Sequence, residues 1–266
     1  TIFNKDKKLF SELIYQLVDP ANCKISQPHV ALSPLITRTG IYLFPYIFSQ
    51  IPELAKELVN KLIHSGNDDM HLIGVWLIYC ESFRNESYIE IADAYSMENQ
   101  EYRKIMTSVT RDVIGWTGSK NRAESLLNDF FHDADDNIRS TASSAFRNID
   151  KADFIHHKNL CHNFIDSPDF ESHSSSMLYK IEDVVGNISD IVISSAERII
   201  NTAIAKKQAG ETFSSDLHQL QDQLKSAYLA SEANPGERKQ ILDLIDLMLI
   251  NEIYGVEQIT TVDDRY

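Results

Sequence analysis

The sequence predicts an all-α protein, an α-solenoid of stacked antiparallel helix pairs closed by a terminal helical cap. Three observations carry that expectation. Apolar residues recur at helical spacing through most of the chain after residue 50, and no comparable run alternates with period two. Glycine and proline are scarce, 9 and 7 in 266 residues, whereas a fold of many tight turns draws on both for their backbone angles. Four polar links of similar makeup recur at nearly constant spacing, as they do in chains of repeated helix pairs.

Residues 1–50 form an amino-terminal flank, with a helix expected at about Lys5–Val18 and then a loop region holding Pro20, Pro28, Pro34 and Pro45. Residues 51–186 form the repeats. Pro52-Glu53 opens a helix with Leu54, Leu58, Leu62 and Ile63 as its apolar face, since proline in the first turn loses no hydrogen bond. In the next helix Ile73, Leu77 and Ile78 mark one face, with Trp76 beside them. Leu126, Leu127, Phe130 and Phe131 form a later stripe, and Ser167-Pro168 opens a further helix. Residues 187–266 form the cap. Its stripes are Ile188, Ile191, Val192, Ile199 and Ile200; then Phe213, Leu217, Leu220, Leu224 and Tyr228; then Ile241, Leu244, Ile245 and Met248. Asn234-Pro235-Gly236-Glu237 supplies a capping Asn, a Pro at the first helical position and a Glu three residues after the cap. Thr260 to Tyr266 is expected to fray.

The four links are SGNDDMHLIG from Ser65, SMENQEYRKI from Ser96, HDADDNIRST from His132 and DSPDFESHSS from Asp166, their starts 31, 36 and 34 residues apart. The clearest unit runs from Ser119 to Ile149. A first helix leads to the acidic turn Asp133-Ala134-Asp135-Asp136, and Asn137-Ile138-Arg139 opens a second helix that turns Ala142, Ala145, Phe146 and Ile149 inward. One such pair cannot bury its apolar face alone, so neighbours stack and share a continuous core.

An Asp-rich turn, an apolar residue followed by Arg, then small residues and a late apolar pair resembles the HEAT-repeat family. Asp136, Ile138, Arg139, Ala142 and Ala145 match that motif residue by residue, and Asn99, Tyr102, Arg103 and Met106 match it more loosely. The Ser65 link has Leu72 near the place of the Arg, and the Asp166 link has His173 instead. The resemblance covers about residues 51–186. On this reading a turn Asp caps the second helix and the Arg pairs with the Asp of the adjacent turn, which makes Asp136 and Arg139 the expected repeat-stacking residues. The closing segment, Ile241–Asp246 with Tyr254-Gly255-Val256-Glu257, looks like the carboxy-terminal tail of large bacterial HEAT-type proteins. That likeness implies a sensor or regulatory part of a larger polypeptide, and a start at Thr1 rather than Met fits a segment or a processed product.

The net charge of −14 disfavours nucleic-acid binding, because an acidic surface repels phosphate backbones. A local basic stripe would draw on Arg103, Lys104 and Arg111, for which a solvated helix face is the competing reading. Cys23, Cys80 and Cys161 share no CxxC spacing and fit free thiols in a reducing compartment, so a cytoplasmic location is expected. No apolar run reaches the roughly 18 residues of a membrane span.

His156 to His162 is the densest chemical cluster. On a continuous helix His157 and Cys161 share a face, as zinc ligands four apart would, with His162 adjacent and His132 or His173 as a further ligand. The competing reading is a polar face with one buried thiol. Iron hydroxylases built on HEAT-like repeats use His-Glu pairs, and no His-Glu dipeptide occurs here. HEAT-like alkylpurine glycosylases need a basic face with aromatics; Trp76 and Trp116 are read as packing residues, and the charge is of the wrong sign. Gly115-Trp116-Thr117-Gly118 lacks the spacing and Lys of a phosphate loop, and no nucleophile elbow surrounds Ser140, Ser143 or Ser144. The expectation is therefore a non-enzymatic scaffold without cofactor, binding another protein or another domain of the same polypeptide. A metal protein using His156–His162 and a nucleic-acid binder using the basic stripe are the alternatives.

Overall fold

A computed structural model describes residues 52–115, 120–168, 170–181, 188–211 and 217–253, together with Lys8, Leu9 and Glu12 of the flank. Every regular element among them is helical, which gives the all-α class. None of these helices is long and apolar enough to cross a membrane. The four flank prolines, Cys23, Trp116, Phe213 and the tail from Tyr254 lie outside the described residues, as do most of the helix expected at Lys5–Val18, both expected boundaries and the side chain of Leu54. Contacts divide the chain into two units, Thr1–Ala123 and Glu124–Tyr266.

In the first unit, α1 (Pro52–Ile63), α2 (Asp68–Ser82), α3 (Ile89–Glu98) and α4 (Gln100–Val113) lead to the start of α5 (Lys120–Phe131). A single 3₁₀ turn, Glu86–Tyr88, precedes α3. Three of the four links place an Asx side chain at the start of the helix that follows. Asn67 accepts from Met70 N at 3.1 Å, Asn99 from Glu101 N at 2.7 Å and Asp135 from Asn137 N at 2.8 Å. Each satisfies an amide that the helix itself leaves without a partner.

Helix α2 packs against α1, α3 and α4 and is the centre of this unit. The expected single face of Ile73, Leu77 and Ile78 is correspondingly too narrow. Every residue from Leu77 to Phe83 is buried, Glu81 and Ser82 included, while Trp76 is only half-buried. A helix with three neighbours keeps little solvent face beyond its first turns. Gly74 lets α1 approach: a Cβ there would meet Ile63 Cδ1 at 2.9 Å and Leu62 Cβ at 3.1 Å. From α5, Arg122 Nη2 donates to Asp93 Oδ1 of α3 at 2.7 Å, with its guanidinium 5.6 Å from the Phe83 ring centre.

The second unit takes the rest of α5 and continues through α6 (Asp136–Ser143), α7 (Lys151–Phe154), α8 (Lys158–Ile165), α9 (Phe170–His173) and α10 (Ser175–Ile181). It closes with α11 (Ser189–Gln208), α12 (Leu217–Ala230) and α13 (Pro235–Ile250). As expected, Ala142, Ala145, Phe146 and Ile149 are buried. The helix that carries them tightens after Ser143 into a 3₁₀ turn over Ser144–Asn148. Ser143 Oγ and Ser144 Oγ donate to the Ser140 and Thr141 carbonyls at 2.8 and 2.7 Å, competing with the α-helical ladder at that point. Around Phe146 the core is aromatic. Phe131 stacks on it with centroids 5.9 Å apart, Phe164 lies 5.2 Å away, and Phe170 meets Phe164 edge-on at 5.2 Å.

The last three helices pack pairwise. Asn234 caps α13 through Glu237 N at 3.4 Å, with Pro235 in the first turn, as its sequence predicts. Helix α11 ends on Gly210 at φ +73°, where Gly210 N and Glu211 N donate to Lys207 O and Lys206 O. Helix α13 ends in the same way on Glu252 at φ +50°, a conformation that favours glycine. Lys207 Nζ reinforces that second ending, donating to Asn251 O at 2.7 Å. Leu242, Leu249 and Ile250 of α13 face solvent, so this helix carries apolar residues on its outer side.

Candidate functional site

Polar ties cross between elements of the second unit at its acidic turns. In register, His173 of the Asp166 link occupies the place that Arg139 holds in the His132 link. His173 Nε2 lies 3.1 Å from Asp136 Oδ1, 37 residues earlier in the chain. The expected cross-turn bond to Asp136 is thus made by the histidine. Arg139 instead closes its own turn, donating to Asp133 O at 2.7 Å, Ala134 O at 3.1 Å and Asp136 Oδ1 at 3.2 Å.

One link further on, Arg198 of α11 reaches back over the same region. Its Nε donates to Glu171 Oε1 at 2.8 Å, Nη2 to Ser167 O at 2.8 Å and Nη1 to Ile165 O, with the guanidinium 5.9 Å from the Phe170 ring. Thr202 Oγ1 also donates to Glu171 Oε1, at 2.8 Å. Burial pushes the Glu171 carboxyl up, but the bonds from Arg198 and Thr202 outweigh it and hold the group below the usual carboxylate range.

The His156–His162 cluster does not converge. A 3₁₀ turn covers Ile155–His157 and α8 begins at Lys158, so His157 and Cys161 are not four apart on one continuous α-helix. Buried His157 lies with Nδ1 2.6 Å from Glu124 Oε1 of α5. Cys161 is fully buried in the apolar core, and burial pushes its thiol well above the ordinary value, which favours the protonated form. His162 and Lys158 both face Asp190 of α11, at 3.4 and 3.1 Å. Burial raises the Asp190 carboxyl and these two neighbours bring it below its ordinary value. The suggested further ligands go elsewhere, His132 Nδ1 to Asn128 O at 3.0 Å and His173 to Asp136. Among the described residues no three His, Cys, Asp or Glu side chains are grouped as a metal ion requires.

Of the basic candidates on α4, Arg103 and Arg111 are half-buried and Lys104 is exposed. Arg111 Nε donates to Asp112 Oδ1 at 2.8 Å, so part of that charge is already neutralised. Ser143 and Ser144 spend their hydroxyls on backbone carbonyls. Sequence reasoning missed Glu124, Asp190, Glu171 and Arg198. The signal was present as an offset of about one link between opposite charges, readable only once the links are laid in register. No protein-family model matches the chain, and no curated protein or solved structure matches it. The HEAT-like resemblance therefore rests on the residues themselves.

Proposed function

We propose that the chain is a HEAT-like α-solenoid scaffold, its antiparallel helix pairs stacked within each unit, that binds another protein or another domain of the same polypeptide and catalyses no reaction of its own. The observation that carries this reading is the reach of the polar ties. Arg122–Asp93 spans 29 residues, Arg147–Ser176 29, Lys180–Ile149 31, Arg198–Glu171 27 and His173–Asp136 37. The links in the sequence recur every 31 to 36 residues, and separations of this size suit ties between one helix pair and its neighbour. Folds of stacked repeats offer extended surfaces for macromolecular partners. Ile91, Met97, Leu249 and Ile250 supply exposed apolar contact area. Buried free Cys80 and Cys161 fit a reducing compartment, in keeping with a cytoplasmic protein. The likeness of the closing segment to large bacterial HEAT-type proteins favours a sensor or regulatory role within a longer chain.

The test is an affinity capture from native lysate with the intact chain as bait, beside an Arg103→Glu/Arg111→Glu bait and with zinc quantified in the purified protein. The expected result is a specific protein held by both baits, reconstituted from purified components, with no stoichiometric metal. Recovery of nucleic acid alone, lost with the charge-reversed bait, overturns the proposal. Stoichiometric zinc overturns its metal-free part.

A further inference from the structure

The 3₁₀ turn Ser144–Asn148, α10 and the start of α12 border a half-open recess of about 460 Å³, lined by Arg147, Ser175, Ser176, Tyr179, Lys180 and Gln219. Helix α10 packs on both of its neighbours here, so the recess is framed by three elements of one unit. Its volume falls in the range of small-molecule sites. The lining holds two cations and no acid, in a chain with 39 acidic residues against 25 basic ones.

Each cation is anchored by a neutral group. Arg147 Nε donates to Ser176 Oγ at 3.0 Å, and Lys180 Nζ donates to Ile149 O at 2.9 Å. Elsewhere in this unit Arg139, Lys158, Arg198 and Lys207 each face a carboxylate. Among the described residues no carboxylate pairs with Arg147 or Lys180, and these two positive charges share one recess. The remaining N–H groups of both, with the Ser175 and Tyr179 hydroxyls, make a set of donors. Gln219 adds the opposite requirement: its buried Oε1 has no donor among the described residues. A complementary occupant is an oxyanion that also carries a hydrogen-bond donor.

We infer that this recess binds a small phosphate compound, with phosphoryl oxygens toward Arg147 and Lys180 and a ligand hydroxyl toward Gln219. Sulfate matches phosphate in shape but carries no proton near neutral pH, so it separates the charge requirement from the donor requirement. Nucleic acid is a poorer occupant, because the recess has the size of a small molecule and the chain as a whole repels a polyanion. The inference does not depend on the scaffold reading, and its failure leaves that reading untouched.

The test is calorimetric titration of the full chain at low ionic strength and pH 7 with inorganic phosphate, glycerol 3-phosphate and sulfate. The expected result is saturable one-to-one binding of the phosphate probes, with sulfate weaker by about tenfold or more. Tighter binding of the ester assigns the site to phosphate monoesters, and tighter binding of inorganic phosphate assigns it to the free ion. Arg147→Gln/Lys180→Gln is expected to weaken phosphate by about tenfold or more. Gln219→Leu keeps both cations and is expected to bring phosphate down to the level of sulfate, a readout that survives even where the double variant fails to fold. Equal, unsaturable responses to phosphate and sulfate, or unchanged phosphate binding in a folded double variant, overturn the inference.

Discussion

Glu81 sits at 6 % exposure on the most enclosed helix of its unit, and burial pushes its carboxyl up to about 7 against the opposing pull of Arg84. An acid whose pKa is raised on folding binds its proton more tightly in the native state. The contribution of Glu81 to native stability therefore falls as pH rises from about 4.5, the unfolded value, to about 7, and levels off above that. Glu81→Gln is expected to flatten that slope, leaving stability at pH 4.5 nearly unchanged and raising it at pH 8 by about 1–3 kcal/mol. Urea midpoints at the two pH values check this, and an equal effect at both refutes it. The burial of Glu81 was not legible in the sequence, where a charged residue next to Ser82 reads as the solvent face. The same limit applies to His157. Its type and position suggested a metal ligand, while the group it meets, Glu124, lies on another helix 33 positions back and is reached only through the fold.

The start of α13 at Asn234 was legible because a cap is a local device. Asn67, Asn99, Asp135 and Asn234 each bond to an amide two or three residues on, and short-range geometry of that kind is written directly in the chain. The division of labour between Arg139 and His173 was not, because either side chain is long enough to reach Asp136 and only the packed turns decide between them. Helix-to-helix distance is equally a property of the pair. Gly74 is an ordinary, mildly unfavourable residue within α2, yet it sets how near α1 comes. Gly74→Ala gains about 0.5–1 kcal/mol of helix propensity and loses about 1–3 kcal/mol to overpacking. The Ile63 side chain can swing aside, but Leu62 Cβ, 3.1 Å from the new methyl, is fixed by its own backbone. The expected outcome is a net loss near 1 kcal/mol, read as a lower midpoint in chemical denaturation. A more stable variant would mean that α1 withdraws at no cost.

At the scale of whole units, the core of Glu124–Tyr266 gathers rings from successive short helices. Phe131, Phe146, Phe164 and Phe170 come from α5, the 3₁₀ turn after α6, α8 and α9, and all are buried. Phe164 touches each of the other three, with centroids 4.7 to 5.2 Å apart. Phe164→Ala is accordingly expected to cost about 3–5 kcal/mol, measured as a loss in unfolding free energy, whereas an effect below about 1 kcal/mol would mean the rings act separately. The ties that run beside this core, Arg198 to Glu171 and Lys180 to Ile149 among them, also carry a consequence for time. These two close loops of 27 and 31 residues, so neither waits for distant parts of the chain to find one another. A helix, once docked, is a surface on which the next helix in the chain condenses. Local ties of this kind lower contact order, and refolding of this unit is expected in the microsecond-to-millisecond regime of helical proteins, which stopped-flow or temperature-jump kinetics checks.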